Sequence, residues 1–306
     1  MSHSRGHVVV TGAGGFVCSA VAIALKEAGW QVTAIDRAFD DEARDRLAGV
    51  RLITVDLLAT TDVLQGIAPT ALIHGAALTV APEKVGMTRA AHIATNIELL
   101  TRMMCAGRAA GVDRMLFLSS TGVFDSGDGV GKARLTEDVA PAGQGPYAAA
   151  KRAGEEITTG AAEDGFATLT VRLGNIFGPH EARRPSRPHL GLPHRMKAEA
   201  RAGRITSGCA GAVREWAWLP DLAGGLVDLL AALPKMQPGV IHAGTPPVMS
   251  DAELAERIAP GFPHDFEMSG PLRPPMGTAR PSPMTDIEWT PVNDGLAHLN
   301  LSGTAA

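Results

Sequence analysis

Short apolar runs alternate with helical patterns through the first 172 residues, and this alternation constrains the fold more than any other feature. The patterns predict strands at residues 8–10, 31–35, 50–55, 71–73, 115–118 and 168–171, with long helices at 88–110 and 147–162. Strands that alternate with helices form a doubly wound parallel sheet covered by helices on both faces. We therefore expect an α/β fold in which ligands bind beyond the carboxyl ends of the strands.

The character of the chain changes after Arg172, where prolines become frequent and regular periodicity fades. Residues 194–202 and 221–233 have helical patterns, 214–219 reads as a strand, and 240–242 is expected to return to the main sheet. We predict a nucleotide-binding domain of residues 1–174 plus about 219–244. A smaller C-terminal substrate-binding domain comprises about 175–218 plus 245–306.

Bulk composition excludes several classes of function. The net charge of −4 and pI of about 6.2 give no electrostatic footprint for nucleic acid. The three cysteines, Cys18, Cys105 and Cys209, are far apart and form neither a disulfide framework nor a metal motif. Neither a signal peptide nor an apolar stretch of membrane-spanning length is evident. We expect a cytoplasmic protein with a small-molecule substrate, no metal and no membrane or nucleic-acid partner.

A glycine-rich turn follows the first strand, in the run Gly12-Ala13-Gly14-Gly15, and a helix follows the turn. Glycines let the backbone approach a pyrophosphate, and the helix N-terminus supplies free N–H groups and positive potential. The turn therefore predicts a nucleotide site, although a purely structural turn would show the same pattern.

Two aspartates end the next strands. Asp36 can accept hydrogen bonds from the ribose hydroxyls of NAD and would repel a 2′-phosphate, whereas the adjacent Arg37 would suit NADP. We favour NAD. Asp56 either meets the adenine amino group or caps the helix after it.

The chain contains one tyrosine, Tyr147, and one of its six lysines, Lys151, follows four residues later. That spacing brings the pair onto one helix face, where the ammonium would stabilise a phenolate and lower the pKa of the tyrosine. An ordinary tyrosine at a helix start is the alternative. A hydroxyl of Ser119, Ser120 or Thr121, at the end of the fifth strand, can bond a substrate oxygen or only the strand-end backbone.

Taken together, these motifs resemble the extended short-chain dehydrogenase/reductases, the NAD-dependent epimerase/dehydratase family. The resemblance covers about residues 7–235 and rests on the order and spacing of a set of short motifs. These are Thr11 to Val17, Asp36, Asp56-Leu57, His74 to Ala77, Asn96, Leu118 to Ser120, Tyr147 to Lys151 and Arg172 to Pro179.

The resemblance implies a Rossmann domain that binds NAD, with Ser120, Tyr147 and Lys151 as the catalytic triad. It implies a homodimer formed through the helices at 88–110 and 147–162. The cofactor-binding residues it implies are Gly12, Gly14, Gly15, Phe16, Asp36, Asp56, Leu57, Ala76, Asn96, Tyr147 and Lys151. The substrate-binding residues expected from the motifs and the Arg-rich segment are Thr79, Ser120, Thr121, Asn175, Arg187 and Arg214.

Three departures from the family pattern bear on function. Cys18 replaces the third glycine of the turn, which strains close helix–strand packing. Thr121-Gly122 replaces the Asp-Glu pair of the dehydratases, so water elimination lacks its acid and base. The segment 214–221 resembles one whose arginine grips a nucleotide-sugar phosphate, but the preceding residues lack the aromatic that packs near the base.

We expect hydride transfer at a secondary alcohol or ketone of a polar, sugar-like or acidic substrate. The arginines of 183–195 either hold an anionic group or form a solvated basic loop. The altered substrate segment favours a net dehydrogenase. A nucleotide-sugar C4 epimerase with transient NAD reduction and a non-catalytic NAD-binding homologue are the alternatives.

Overall fold

The computed structural model describes residues 5–60, 62–184, 187–267 and 270–301. The strands are β1 (His7–Thr11), β2 (Gln31–Asp36), β3 (Arg51–Thr54), β4 (Ala71–His74), β5 (Arg114–Ser120), β6 (Ala167–Leu173), β7 (Ile176–Phe177), β8 (Val213–Glu215), β9 (Ala217–Trp218), β10 (Val240–His242) and β11 (Val248–Ser250).

The helices alternate with the strands through β6, except that the described residues between β3 and β4 form no α-helix and that α2 was not predicted. They are α1 (Phe16–Glu27), α2 (Asp41–Arg46), α3 (Arg89–Ala109), α4 (Pro146–Gly160), α5 (Leu192–Arg201), α6 (Leu219–Ala232), α7 (Asp251–Ile258) and α8 (Val292–His298).

The first of two compact units contains a seven-stranded parallel sheet in the order β10-β6-β5-β4-β1-β2-β3. It comprises the described residues of Met1–Val123, Gly143–Arg172 and Ala223–Ile241. Strand β1 pairs with β2 on one side and β4 on the other, so the strand order reverses there. The predicted doubly wound parallel α/β fold is confirmed, including the return of residues 240–242 to the main sheet.

Apolar side chains from the sheet and its covering helices form the core of this unit. Leu72, Met115 and Phe117 of the sheet pack in one cluster with Leu100 and Met103 of α3. Helix α3 begins at Thr88, whose side chain accepts a hydrogen bond from the Ala91 N–H. Helix α4 begins with Pro146, a residue suited to the first helical turn because it has no N–H to satisfy. These two helices carry, or pack against, the predicted catalytic residues.

The second unit comprises the described residues of Phe124–Ala142, Leu173–Leu222 and His242–Ala306. It holds two small sheets, an antiparallel pair of β8 and β11 and a parallel pair of β7 and β9. Its apolar core includes Phe177 and Trp218, whose ring centroids are 5.1 Å apart in an edge-on arrangement.

Two sequence expectations differ from the structure in this unit. The strand expected at 214–219 is divided, because β8 pairs with β11 whereas β9 pairs with β7. Between them, Trp216 donates its backbone N–H to the Pro247 carbonyl at 2.8 Å. Residues 124–142, expected in the nucleotide-binding domain, belong to the second unit. The function assigned to each unit stays a prediction.

Cys18 and Gly75 form a complementary pair in the first unit. The buried Cys18 of α1 directs its sulfur at Gly75, immediately after β4, and a Cβ atom at position 75 would overlap that sulfur. The strain expected from Cys18 is therefore relieved locally, because Gly75 has no side chain.

Gly75→Ala is expected to destabilise the protein by about 1–3 kcal/mol, since the new methyl group overpacks against Cys18. Adding Cys18→Gly should recover most of that loss, because it removes the sulfur. A double-mutant cycle measured by urea unfolding checks the coupling. Gly160→Ala, where a Cβ meets nothing within 4 Å, is the control; additive effects of the two site substitutions would contradict the pairing.

Candidate active site

The glycine turn after β1 leaves room that any side chain would fill. Gly12 has φ +73°, and a Cβ there would lie 2.8 Å from the backbone nitrogen of Ala76. A Cβ at Gly14 would overlap the Ala38 carbonyl. Helix α1 then begins at Phe16, with Gly15 as its N-cap and no side chain capping its N–H groups. Free helix N–H groups beside side-chain-free backbone fit the pyrophosphate of NAD.

Asp36 closes the same turn from the end of β2. Its Oδ2 accepts a hydrogen bond from the Gly14 N–H at 2.9 Å, and its Oδ1 accepts one from the Ala38 N–H at 3.3 Å. The carboxylate is therefore fixed beside the glycine turn, where its negative charge disfavours a 2′-phosphate.

The remaining cofactor-binding candidates have structural partners of their own. Asp56 accepts a hydrogen bond from the Leu58 N–H at 2.9 Å in a turn, and the helix expected after it is absent from the described residues between β3 and β4. The Asn96 amide exchanges hydrogen bonds with the Leu78 backbone, accepting from its N–H at 2.8 Å. The Ala76 N–H donates to the Thr11 hydroxyl at 3.4 Å, and Leu57 is buried in the core. Their contacts with a cofactor stay predictions.

The three predicted catalytic residues meet at the carboxyl end of β5. Ser120 is the last residue of that strand, and its hydroxyl hydrogen-bonds the Tyr147 side chain. Tyr147 lies in the first turn of α4 and Lys151 one turn later, with Lys151 Nζ 5.8 Å from the centre of the Tyr147 ring. The Gly122 N–H donates to Ser120 Oγ at 3.0 Å, which orients the hydroxyl.

Lys151 is 5% exposed, and its ammonium is held by the strand that carries Ser120. Its Nζ donates to the Leu118 carbonyl at 2.7 Å and lies 4.5 Å from the centre of the Phe117 ring. Burial lowers the pKa of Lys151 to about 8, while Cys18 and Glu155 oppose the decrease.

The pKa of Tyr147 shifts opposite to the direction expected from the sequence. Burial raises it, and the hydrogen bond from Ser120 only partly offsets that effect. The reason is that the phenol loses more solvation than one neutral donor restores. Lys151 contacts the tyrosine through its ring face, and the ammonium hydrogen bond goes to Leu118 instead.

The other substrate-binding candidates in the first unit lie close in sequence to these groups. Thr121 is buried directly after Ser120, whereas Thr79 is exposed in the loop after β4. A hydroxyl at position 121 cannot replace the carboxylic acid of a dehydratase, because its proton is far less acidic.

The substrate-binding candidates in the second unit form hydrogen bonds or ion pairs with carboxylates. Arg214 forms a two-bonded ion pair with Asp251, with Nε to Oδ1 at 2.7 Å and Nη2 to Oδ2 at 2.9 Å. Asn175 donates from its backbone N–H and its side-chain amide to Glu215 Oε1, each at 3.0 Å. Arg187 pairs with the buried carboxylate of Glu181.

Three residues with functional geometry were missed by the sequence analysis. His74 is buried and neutral; burial and Lys151 lower its pKa to about 3, and its Nδ1 shares a 2.9 Å hydrogen bond with Thr11. Glu155 lies on α4 four residues after Lys151, and this spacing, which places both on one helix face, could have been recognised in the sequence. No signal in the sequence indicated Arg273. In the second unit it lies over the Phe124 ring, and burial and Arg214 lower its pKa.

Among the described residues, no group of three or more His, Cys, Asp or Glu side chains is arranged to hold a metal ion. Within the same ranges, no helix is long and apolar enough to cross a membrane.

The sequence profile of the NAD dependent epimerase/dehydratase family matches residues 8–244. The chain belongs to this family. Its enzymes are NAD-dependent epimerases and dehydrogenases of the extended short-chain type, so the suspected resemblance is confirmed. The expectation of NAD agrees with the cofactor of the family.

A curated relative, the 2-alkyl-3-oxoalkanoate reductase of Stenotrophomonas maltophilia, is 31% identical over 205 residues. The match covers 65% of this chain and 57% of the relative, so the chain spans little more than half of that protein's length.

Solved structures with the same fold include two sugar-nucleotide epimerases. The UDP-N-acetylglucosamine 4-epimerase from Methanobrevibacter ruminantium, in complex with UDP-N-acetylmuramic acid, is 21% identical with a TM-score of 0.76, covering 97% of this chain and 96% of that one. The UDP-glucose 4-epimerase from Brucella ovis, in complex with NAD, is 20% identical with a TM-score of 0.73, covering 90% of each chain. These likenesses establish the fold.

Burial of Lys151 predicts a distinctive pH dependence of stability. Its pKa is about 8 in the folded state against 10.5 for an exposed lysine, so between these values the unfolded chain binds more protons. The cost of burying the ammonium is therefore fully present below pH 8 and decreases as the pH rises. The free energy of unfolding of the wild type minus that of Lys151→Met should increase by on the order of 3 kcal/mol over this window.

Urea unfolding of both proteins from pH 7 to 10 measures the difference. Lys235→Met is the control, because Lys235 is exposed and its replacement should give a flat difference. A flat difference for Lys151→Met as well would contradict the buried, charged lysine.

Proposed function

We propose that the protein is an NAD-dependent oxidoreductase that transfers a hydride at a secondary alcohol or ketone, with Ser120, Tyr147 and Lys151 as catalytic residues. The observation that carries the proposal is the convergence of these side chains at the end of β5, in the unit that contains the glycine turn. Family membership supports the reaction class.

The proposed chemistry assigns one task to each residue. The Tyr147 oxygen takes the proton of the substrate hydroxyl, and Ser120 donates a hydrogen bond to the oxygen as the carbonyl forms. Lys151 stabilises the tyrosinate through its positive charge. The turn of Gly12, Gly14 and Gly15, with Asp36, would hold NAD, which supplies the hydride acceptor.

The substrate is proposed to be polar, sugar-like or acidic, without a nucleoside diphosphate. Arg214 would be the natural phosphate ligand, but the carboxylate of Asp251, which is 0% exposed, already binds two of its nitrogens. A neutralised guanidinium attracts a diphosphate less strongly than a free one. The name of the curated relative, an oxoalkanoate reductase, also supports a substrate without a nucleotide.

A nucleotide-sugar C4 epimerase is the second candidate. The similar solved structures are enzymes of that kind by their descriptions, and the same triad would serve both reactions. The third candidate, a non-catalytic NAD-binding homologue, is disfavoured because all three triad positions carry functional groups. The homodimer and the cytoplasmic location stay predictions.

Tyr147→Phe should lower kcat/KM by about 10²–10⁴-fold, because it removes the acid–base group and little else. Binding of NAD, followed by titration calorimetry, should change little. Turnover is measured by absorbance of reduced nicotinamide with a panel of sugars, sugar acids and hydroxy acids. Undiminished turnover in this variant would rule out the proposed role of Tyr147.

The same assay separates the first two candidates. A dehydrogenase accumulates one reduced cofactor per substrate consumed, whereas an epimerase changes the substrate without net reduction.

UDP is expected to bind the wild type with a Kd weaker than about 1 mM, since Asp251 neutralises Arg214. Calorimetric titration of UDP into the NAD-loaded protein provides the measurement. Micromolar affinity for UDP that is lost in Arg214→Lys would instead favour the epimerase. Arg204→Ala is the control and should keep that affinity, because Arg204 is exposed and paired with Asp265.

A further inference from the structure

A buried cluster of charged groups includes one residue of α4, the helix that carries Tyr147 and Lys151. Glu155 of α4 is 3% exposed and Arg172 of β6 is 5% exposed. Arg172 donates from Nε to Glu155 Oε1 at 2.9 Å and from Nη2 to Oε2 at 2.6 Å. The Ser119 hydroxyl of β5 donates to the same Oε1 at 2.6 Å. One carboxylate therefore joins α4, β5 and β6.

Two of the three elements that the cluster joins, α4 and β5, also carry the catalytic triad. Glu155 follows Lys151 by four residues, so both lie on one face of α4, one turn apart. Ser119 stands between Leu118, whose carbonyl accepts the Lys151 ammonium, and Ser120. A shift of the carboxylate would move the lysine, its acceptor and the catalytic hydroxyl relative to one another.

Stability alone is a weak explanation for this arrangement. A buried ion pair must overcome the desolvation of both charges, and apolar side chains of similar volume often stabilise a fold equally well. Because the ion pair lies next to the catalytic triad, it can also hold the catalytic residues in position.

We propose that Glu155 is a positioning residue of the active site, which holds α4 in register with the end of β5 and keeps the Lys151 ammonium charged. The proposal rests on the assignment of Tyr147, Lys151 and Ser120 as the catalytic groups.

The charges around Lys151 support this role. Cys18 of α1 faces it as a neutral thiol, because burial and Asp36 raise the pKa of the cysteine to about 12. His74 of β4 is neutral, with its pKa lowered to about 3. Tyr147 of α4 is a neutral phenol in the resting site, because burial raises its pKa, and it releases that proton to solvent before its oxygen takes one from the substrate. Of the two groups that oppose the effect of burial on the pKa of Lys151, Cys18 and Glu155, the carboxylate of Glu155 is the one that is charged near neutral pH, and its partner Arg172 offsets part of its effect.

Glu155→Gln is the direct test, because it removes the charge with almost no change in shape. We expect kcat to decrease by about tenfold to a hundredfold. We also expect the alkaline limb of the kcat–pH profile, where Lys151 loses its proton, to move to lower pH, since the ammonium has lost its counter-charge.

Two further variants separate positioning from charge and from general destabilisation. Ser119→Ala removes one hydrogen bond and leaves the carboxylate, so it should lower kcat and leave the alkaline limb in place. Thr168→Val is the matched control: it removes the buried 2.6 Å hydrogen bond from Thr168 to the Thr158 carbonyl, which also joins β6 to α4. It should lower the melting temperature without changing kcat or the profile.

If Glu155→Gln does not fold, Glu155→Gln combined with Arg172→Met removes the unpaired buried cation. It should lower kcat as Glu155→Gln does and displace the alkaline limb less far, because losing the Arg172 cation offsets part of the lost counter-charge. A folded Glu155→Gln or double variant that has the kcat and pH profile of Thr168→Val would overturn the proposal. That result is distinct from failure of the catalytic assignment, in which Tyr147→Phe itself retains full turnover.

Discussion

The buried ammonium of Lys151 is the constraint on which the proposed active site depends. Placing a cation at 5% exposure is costly, so the surrounding structure must supply partners for it. The Leu118 carbonyl, the Phe117 ring and the Glu155 carboxylate do so. Because two of these groups belong to β5, the strand end that carries Ser120 is fixed to the helix that carries Tyr147. The geometry of the triad thus follows from the contacts that β5 makes with the Lys151 ammonium.

The glycine turn depends on a similar matching of parts. Asp36 is hydrogen-bonded to Gly14, and Gly75 leaves room for the sulfur of Cys18. Cys18 replaces the third glycine of the turn, yet the space it needs is available because Gly75, immediately after β4, has no side chain. The cysteine at position 18 is therefore compensated by Gly75, which is distant from it in the sequence.

In the second unit, neutralised arginines are the dominant feature. Arg214 is paired with Asp251, and Arg273 lies within the electrostatic influence of Glu215 and Asp128 as well as of Arg214. Arginine stays charged even when buried, so these carboxylates reduce the positive potential available to a ligand. This charge balance supports the proposed polar or singly charged substrate over a diphosphate.

Local pattern alone determined the six parallel strands up to β6 and their long helices, the glycine turn and the spacing of Tyr147 and Lys151. These features depend on backbone period and on nearest neighbours, which the sequence contains directly. The family followed from the same short motifs. Tertiary structure decided the rest: that residues 124–142 join the second unit, that the strand at 214–219 is divided, and that Asp251 binds Arg214. It also decided that burial raises the pKa of Tyr147, against the expectation from its lysine neighbour. Contacts between residues 36 or more positions apart, such as Ser119 with Glu155 or Arg214 with Asp251, have no local signature. The burial that sets a pKa likewise exists only once the chain has packed.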